Sequence, residues 1–220
     1  MGILSSEELA SFKKNGYVVV PSAAPAALVE AAIDAIWQFQ QMDPNDPTTW
    51  YRKPERENGL PELNGAGMVE LYHHPAFWAI RQLPRIHGVF ADLWGTEKLW
   101  VSIDRCNFNV PNRSGFDFEG FIHWDIDTSL RPLPFGLQGF LSLTDSVVGQ
   151  GGFQCVPGMS TRLAEWAQTQ PAARNPFRPD LTGLDVVEIP TRAGDLLIWN
   201  SLLPHGTSPN TSDQPRLVQY

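Results

Sequence analysis

Gly194-Asp195-Leu196-Leu197-Ile198-Trp199-Asn200 is an apolar run between turn-forming residues, and it leads through Leu202-Leu203-Pro204 into His205-Gly206-Thr207. Short runs of aliphatic, β-branched and aromatic residues closed by Gly, Asn, Asp or Ser read as strands. Working outward, similar runs occupy 99–110, 120–126, 136–143, 152–156, 184–189 and 217–220, and one helical pattern at 161–168 interrupts them. The first part of the chain reads differently. Ser5 and Glu8 have the spacing of a capping box, Asn15-Gly16 stops that helix, and Val18-Val19-Val20 follows as a short strand before Pro21. A second amphipathic helix covers 26–41, with Leu28, Ala31, Ala32, Ala35, Ile36 and Phe39 at helical spacing. The stretch 42–67, rich in Pro, Gly, Asn and charge, reads as a long irregular connection of the kind that often forms a lid. Two short helices lie between Pro75 and Trp94, the second opening at Pro84 and closing at Gly95.

Helices first and seven or eight short strands afterwards give an α+β fold class: a mostly helical N-terminal layer, 1–98, packed on a β-sandwich or jelly-roll core, 99–220. The length of 220 residues suits a single domain with one large core. Apolar residues make up 42%, charged residues only 18%, and 8 Trp and 12 Phe suit a deep interior, while 19 Pro and 18 Gly suit many turns. The net charge of −8 and the scattered Lys and Arg offer no stripe for a phosphate backbone, so nucleic acid is not expected as a partner. No apolar run approaches the roughly 20 residues of a membrane span, and the start has no apolar signal segment. Two unclustered cysteines, Cys106 and Cys155, suit a reducing cytoplasm. Met1-Gly2-Ile3-Leu4-Ser5-Ser6 also matches the loose myristoylation pattern, against which stands the capping-box reading of Ser5. Nothing in the sequence speaks to oligomeric state.

The chemistry concentrates in Phe121-Ile122-His123-Trp124-Asp125-Ile126. On a strand, His123 and Asp125 project from one face, whereas Trp124 and Ile126 take the other. An isolated His-x-Asp is most often a strand-end histidine beside a solvated aspartate. His205, one of only five histidines, supplies a second imidazole downstream. Two imidazoles and one carboxylate on one side of an ion leave three adjacent positions open, the ligand set of non-haem iron(II) oxygenases. Arg216 follows in Gln214-Pro215-Arg216-Leu217; its planar fork suits a carboxylate if the strand runs beside the metal, and it is otherwise a surface residue after a turn. Arg105, Asn107 and Asn109 share a strand face that either lines the cavity or lies outside the barrel. Trp124 is either core packing or a platform for substrate. His73 and His74 read as loop or capping residues and His87 as part of a helix, none of them a metal ligand.

These segments together resemble the phytanoyl-CoA dioxygenase family of iron(II)- and 2-oxoglutarate-dependent oxygenases. The likeness covers nearly the whole chain: 5–21 at the start, Gly151-Gly152 to Pro157-Gly158, Gly194 to Trp199, His205-Gly206, Pro209-Asn210 and Pro215-Arg216. It implies a double-stranded β-helix, a cupin-like jelly roll, with Fe(II) on His123, Asp125 and His205 and the far carboxylate of 2-oxoglutarate on Arg216. Thr207 matches a position whose hydroxyl assists that arginine, and Asn107 is placed toward the cosubstrate. The implied reaction consumes O2 and 2-oxoglutarate, releases succinate and CO2, and oxidises a small-molecule substrate, with Arg105 and Trp124 as candidate substrate contacts. Two departures stand out. Met159-Ser160 replaces the family's Ser-His pair after Pro-Gly, and the sequence stops four residues after Arg216. Related halogenases lack the metal carboxylate; Asp125 occupies that place here, which points to hydroxylation or another oxidation.

Two other classes bear on the same residues. A zinc-type hydrolase or isomerase on a jelly roll would use the same ligands with an open site, and would need a general base, for which Glu119 is the nearest glutamate. A non-catalytic jelly-roll binding module would carry the site as a vestige.

Overall fold

A computed structural model describes residues 2–52 and 67–220. The helix α1 (Ser6–Asn15) is closed at its start by the reciprocal bonds of a capping box between Ser5 and Glu8, and at its end by Gly16 in the left-handed region at φ 86°. A side chain there would be strained, so the glycine lets the chain reverse into β1 (Tyr17–Val20). α2 (Ala26–Gln40) buries Val29, Ala32, Ala35, Ile36, Trp37 and Gln40. α3 (Pro75–Arg81) is capped by the side chain of His74, and α4 (Pro84–Trp94) opens on proline and closes on Gly95, both as their sequences lead one to expect. The remaining elements are β2 (Met68–Val69), β3 (Cys106–Asn109), β4 (Leu137–Ser142), β5 (Phe153–Cys155), α5 (Met159–Gln168), β6 (Val187–Ile189), β7 (Leu196–Asn200), β8 (His205–Thr207) and β9 (Arg216–Gln219).

The strands form two antiparallel sheets, one ordered β1-β7-β4-β9-β3-β2 and one ordered β6-β5-β8. Alternation along each strand of the larger sheet sends one set of side chains outward and the other inward. The outward set, including Val18, Leu141, Leu196, Ile198, Phe108 and Leu217, packs with Ile36, Trp37, Phe77, Ile80 and Val89 of the helices. Each large side chain taken out of water there contributes about 1.5–3 kcal/mol before entropy is charged. The inward set includes Phe140, Leu197, Trp199 and Val218, which meet Phe153, Cys155 and Ile189 of the smaller sheet. The α+β jelly-roll expectation is therefore met, and the interior between the sheets is where the functional residues gather.

Two expectations need correction. The run 120–126 is not a strand: only His123 pairs, in an isolated bridge to His205. Past His123 the backbone bonding leaves β8, the Trp124 amide donating to Phe177 O on the other side, and Gly120 enters the segment at φ 78°. The run 99–110 is a strand only over Cys106–Asn109, and Trp100, Val101 and Ile103 before it are exposed. The short strand expected at Val18–Val20 is present as β1, an edge strand of the larger sheet, paired to β7 from Tyr17↔Trp199 to Val20↔Leu196. The proposed lid at 42–67 lies largely outside the described residues. Among the described residues, no helix is long and apolar enough to cross a membrane.

Gly206 holds the smaller sheet together at a point of close approach. A Cβ at this position would collide with the carbonyl oxygen of Phe121 and lie 2.8 Å from that carbonyl carbon. The contact is backbone on backbone, so a larger residue must push the 121–123 segment away from β8. Gly206→Ala is expected to lower stability by about 1–3 kcal/mol, the usual range for overpacking. It should also weaken metal binding, because the displaced segment carries His123. Denaturant unfolding and metal titration check both, with Gly136→Ala as control, where the new Cβ meets nothing closer than Ser201 at 3.9 Å.

Candidate metal centre

His205 stands on β8 opposite Cys155, and His123 is bridged to it by His123 N–H to His205 O at 2.8 Å and His205 N–H to His123 O at 3.0 Å. That reciprocal pair of hydrogen bonds fixes the two backbones, and the two rings lie 4.8 Å apart. Asp125, two residues on, turns back to the same point: His123 Nε2 is 2.9 Å from its Oδ1 and His205 Nε2 is 3.4 Å from its Oδ2. One ligand atom from each of the three residues lies within 4.8 Å of the others. That separation is close to the reach of one ion with bonds of about 2.0–2.2 Å to nitrogen and oxygen. Hydrogen bonding, the largest share of it with His123, holds the Asp125 carboxyl well below the usual carboxylate range, so it is anionic at neutral pH.

The tautomer of His205 follows from its other nitrogen. Nδ1 lies 2.9 Å from Leu203 O, and a carbonyl only accepts, so Nδ1 carries the proton. In the neutral ring Nε2 then points a lone pair at a carboxylate that offers only lone pairs. The arrangement is favourable when a cation sits between them, which is the test a metal site should pass. The ring is also clamped, stacked on Phe153 at 5.8 Å and tilted against Trp199 at 4.7 Å. His205 is 5% exposed, so its polar edge faces the interior rather than bulk water.

Opposite this trio, the larger sheet turns Arg216 inward, beside Val218 on β9 and opposite Asn109 on β3. Its guanidinium lies 4.8 Å over the Phe140 ring and bonds the Tyr220 hydroxyl, while Nε and Nη1 are buried and without partners. Burial pushes its pKa below the ordinary arginine value, with Tyr220 opposing the shift. Among the described residues no carboxylate lies within ion-pair distance of it. A buried cation with two idle donors and no counter-ion suits an anionic ligand, and a carboxylate matches its fork.

The other expected residues are placed as follows. Asn107 and Asn109 are on the inward face of β3, which settles the choice between cavity and exterior; Asn107 Nδ2 donates to Gly67 O and Asn109 Nδ2 to Gly151 O. Thr207 shares the His205 face of β8, and among the described residues its hydroxyl makes no hydrogen bond to Arg216. Arg105 pairs with its neighbour Asp104 at 3.0 Å and is partly exposed. Trp124 is 1% exposed, donates its indole N–H to Leu202 O and packs with Val156, Met159 and Leu163, so core packing is the role its placement fits. Glu119 is exposed and, among the described residues, bonds none of the trio. His73 stacks on Trp78, His74 caps α3 and His87 contacts Glu97 O, all away from the trio. Cys155, on the inward face, has its thiol pushed up to about 12 by burial and offers no thiolate at neutral pH.

Sequence reasoning missed Gln138, whose amide reaches Asp125, and Phe121, a 40% exposed ring lying 4.9 Å from the His123 ring. Phe121 precedes His123 by two positions, and that period-2 spacing was a usable signal for a shared face.

A family model described as phytanoyl-CoA dioxygenase (PhyH) matches residues 12–218. A relative from Dictyostelium discoideum, described as a putative phytanoyl-CoA dioxygenase, is 21% identical over 95% of this chain and 72% of its own length. Among solved structures, HygX from Streptomyces hygroscopicus, determined with nickel and 2-oxoglutarate bound, is similar at a TM-score of 0.65 and 18% identity, covering 98% of this chain and 84% of that one. The epimerase SnoN, in complex with Fe3+, alpha ketoglutarate and nogalamycin RO, is similar at a TM-score of 0.63 and 19% identity, covering 96% and 80%.

Proposed function

The chain belongs to the phytanoyl-CoA dioxygenase family, iron(II)- and 2-oxoglutarate-dependent oxygenases, and from that premise we propose that it oxidises a small-molecule metabolite at iron held by His123, Asp125 and His205. The observation that carries this reading is the lone-pair confrontation of His205 Nε2 and Asp125 Oδ2, 3.4 Å apart, which a metal ion resolves. Bound iron supplies the activation of O2 against 2-oxoglutarate, with release of succinate and CO2. The chain supplies the rest. His123, Asp125 and His205 would hold the ion through two imidazole nitrogens and one carboxylate oxygen, a ligand set that leaves room for cosubstrate and oxygen. Arg216 takes the far carboxylate of 2-oxoglutarate, with Thr207 and Asn107 beside the cosubstrate on their facing strands. Phe140, Phe153 and Trp199 keep water out of the interior, which strengthens every charge interaction there.

The substrate enters on the open side of the trio, where Phe121 and Arg105 are exposed enough to meet it. An intact Asp125 favours hydroxylation or another oxidation over halogenation. Residues 1–220 act as a single domain, working in a reducing cytoplasm in keeping with two free, buried cysteines.

Anaerobic addition of Fe(II) and 2-oxoglutarate to metal-free protein should give a weak visible charge-transfer band. Admission of oxygen should then release succinate even without substrate. Zinc-dependent turnover without oxygen would instead support a hydrolase, and no response to either metal a binding module.

A further inference from the structure

Gln138 is a polar residue in the apolar strand β4, and alternation puts it on the inward face with Phe140. Its Nε2 donates to Asp125 Oδ2 at 2.7 Å, the shortest of that carboxylate's side-chain contacts. The amide orientation is fixed by charge, since turning the carbonyl to Asp125 would set acceptor against acceptor. Its Oε1 is buried and without a partner. A glutamine held only for packing would be expected to satisfy both ends of its amide; this one keeps a single bond, and that bond is to Asp125.

An ion between the three ligands would change the bonding around Asp125. In its absence the carboxylate has three neighbours: His123, His205 and Gln138. An imidazole nitrogen that ligates a metal has no proton left to donate, so His123 Nε2 ceases to be a donor to Asp125 when an ion binds, and His205 Nε2, with the ring proton on Nδ1, offers none. Among the described side chains, Gln138 is then the remaining donor to that carboxylate. It stands on a strand paired on both sides, to β7 through Gln138↔Trp199 and to β9 further along, so its backbone is a firm mount.

We propose that Gln138 is the positioning residue of the metal carboxylate: its amide holds Asp125 through Oδ2 and so sets the orientation in which the carboxylate meets the ion. The proposal rests on the reading of the trio as the metal site. Hydrogen-bonding partners of ligands typically contribute 10–100-fold to metal affinity.

The test uses Gln138→Met, of similar length without a hydrogen bond, and Gln138→Asn, which keeps the amide but falls short by a methylene. Metal-free protein is titrated with Co(II), followed by its visible absorption, and anaerobically with Fe(II). Both variants should bind roughly 10–100-fold more weakly than wild type, melt without metal at or above the wild-type temperature, and regain uncoupled succinate release as iron is raised. Wild-type affinity in both variants would overturn the proposal, as would a lowered metal-free melting temperature with unchanged affinity, the mark of a structural role. Failure of the wild-type chain to bind either metal would overturn the metal-site reading itself, an outcome distinct from the other two.

Discussion

Asp125→Ala is expected to abolish oxygen-dependent succinate release, with at least about a thousandfold loss at micromolar iron, equal to roughly 4 kcal/mol at 1.36 kcal/mol per tenfold. Loss of a mere supporting partner weakens a metal site by about 10–100-fold, and removal of a direct anionic ligand must exceed that. The variant retains two neutral imidazoles facing each other, which bind a dication but no longer neutralise half its charge. Little fold stability is at stake: the Asp125 side chain is 44% exposed, which screens what its hydrogen bonds to the ring nitrogens and Gln138 contribute. A melting temperature for the metal-free variant close to that of wild type, together with absent turnover, is therefore the expected pair of results. Asp125→Asn sharpens it, since shape is kept and only the charge is lost. Undiminished succinate release by Asp125→Ala would refute the assignment of the three ligands.

How much of this site could be read from the sequence depends on what each residue needs around it. His123, Asp125 and His205 were legible because imidazoles and carboxylates are scarce inside strands, and a pair two positions apart already implies a common face. The segment carrying the pair was read wrongly as a regular strand. Ladder formation is decided by the partner's backbone, here a single bridge to His205 before Trp124 turns to Phe177. The same limit explains Trp100, Val101 and Ile103, whose apolar pattern promises a strand although, among the described residues, no neighbouring strand takes it up. β8 was too short to show as a separate run, at three residues directly after Pro204. Gln138 was hidden for another reason: one amide among Leu137, Gly139, Phe140 and Leu141 means nothing until the inward face of β4 is known. The helices at the start were easier, since Ser5 with Glu8, Pro84 and Gly95 are local signals that tertiary contacts did not override.

Arg216→Met separates binding from stability because the two should move in opposite directions. The wild-type guanidinium is buried, 1% exposed, with Nε and Nη1 unpaired and its compensation limited to the Phe140 ring and the Tyr220 hydroxyl. A buried charge without a counter-ion costs several kcal/mol, against which a desolvated cation–π contact returns about 2 kcal/mol and a hydrogen bond about 1. Methionine fills much of the same volume without the charge, so the cosubstrate-free variant should melt several degrees higher than wild type. With 2-oxoglutarate the order reverses. Two charge-assisted hydrogen bonds at about 1.5–3 kcal/mol each amount to roughly 100-fold or more in affinity. The KM for 2-oxoglutarate should rise by at least that factor, and the thermal shift that metal plus 2-oxoglutarate gives the wild type should vanish. Arg216→Lys should recover only part of the affinity, because an ammonium offers no planar fork. An unchanged KM in Arg216→Met would mean that the cosubstrate carboxylate is held elsewhere, and a lowered melting temperature would mean that the buried guanidinium serves the fold rather than the ligand.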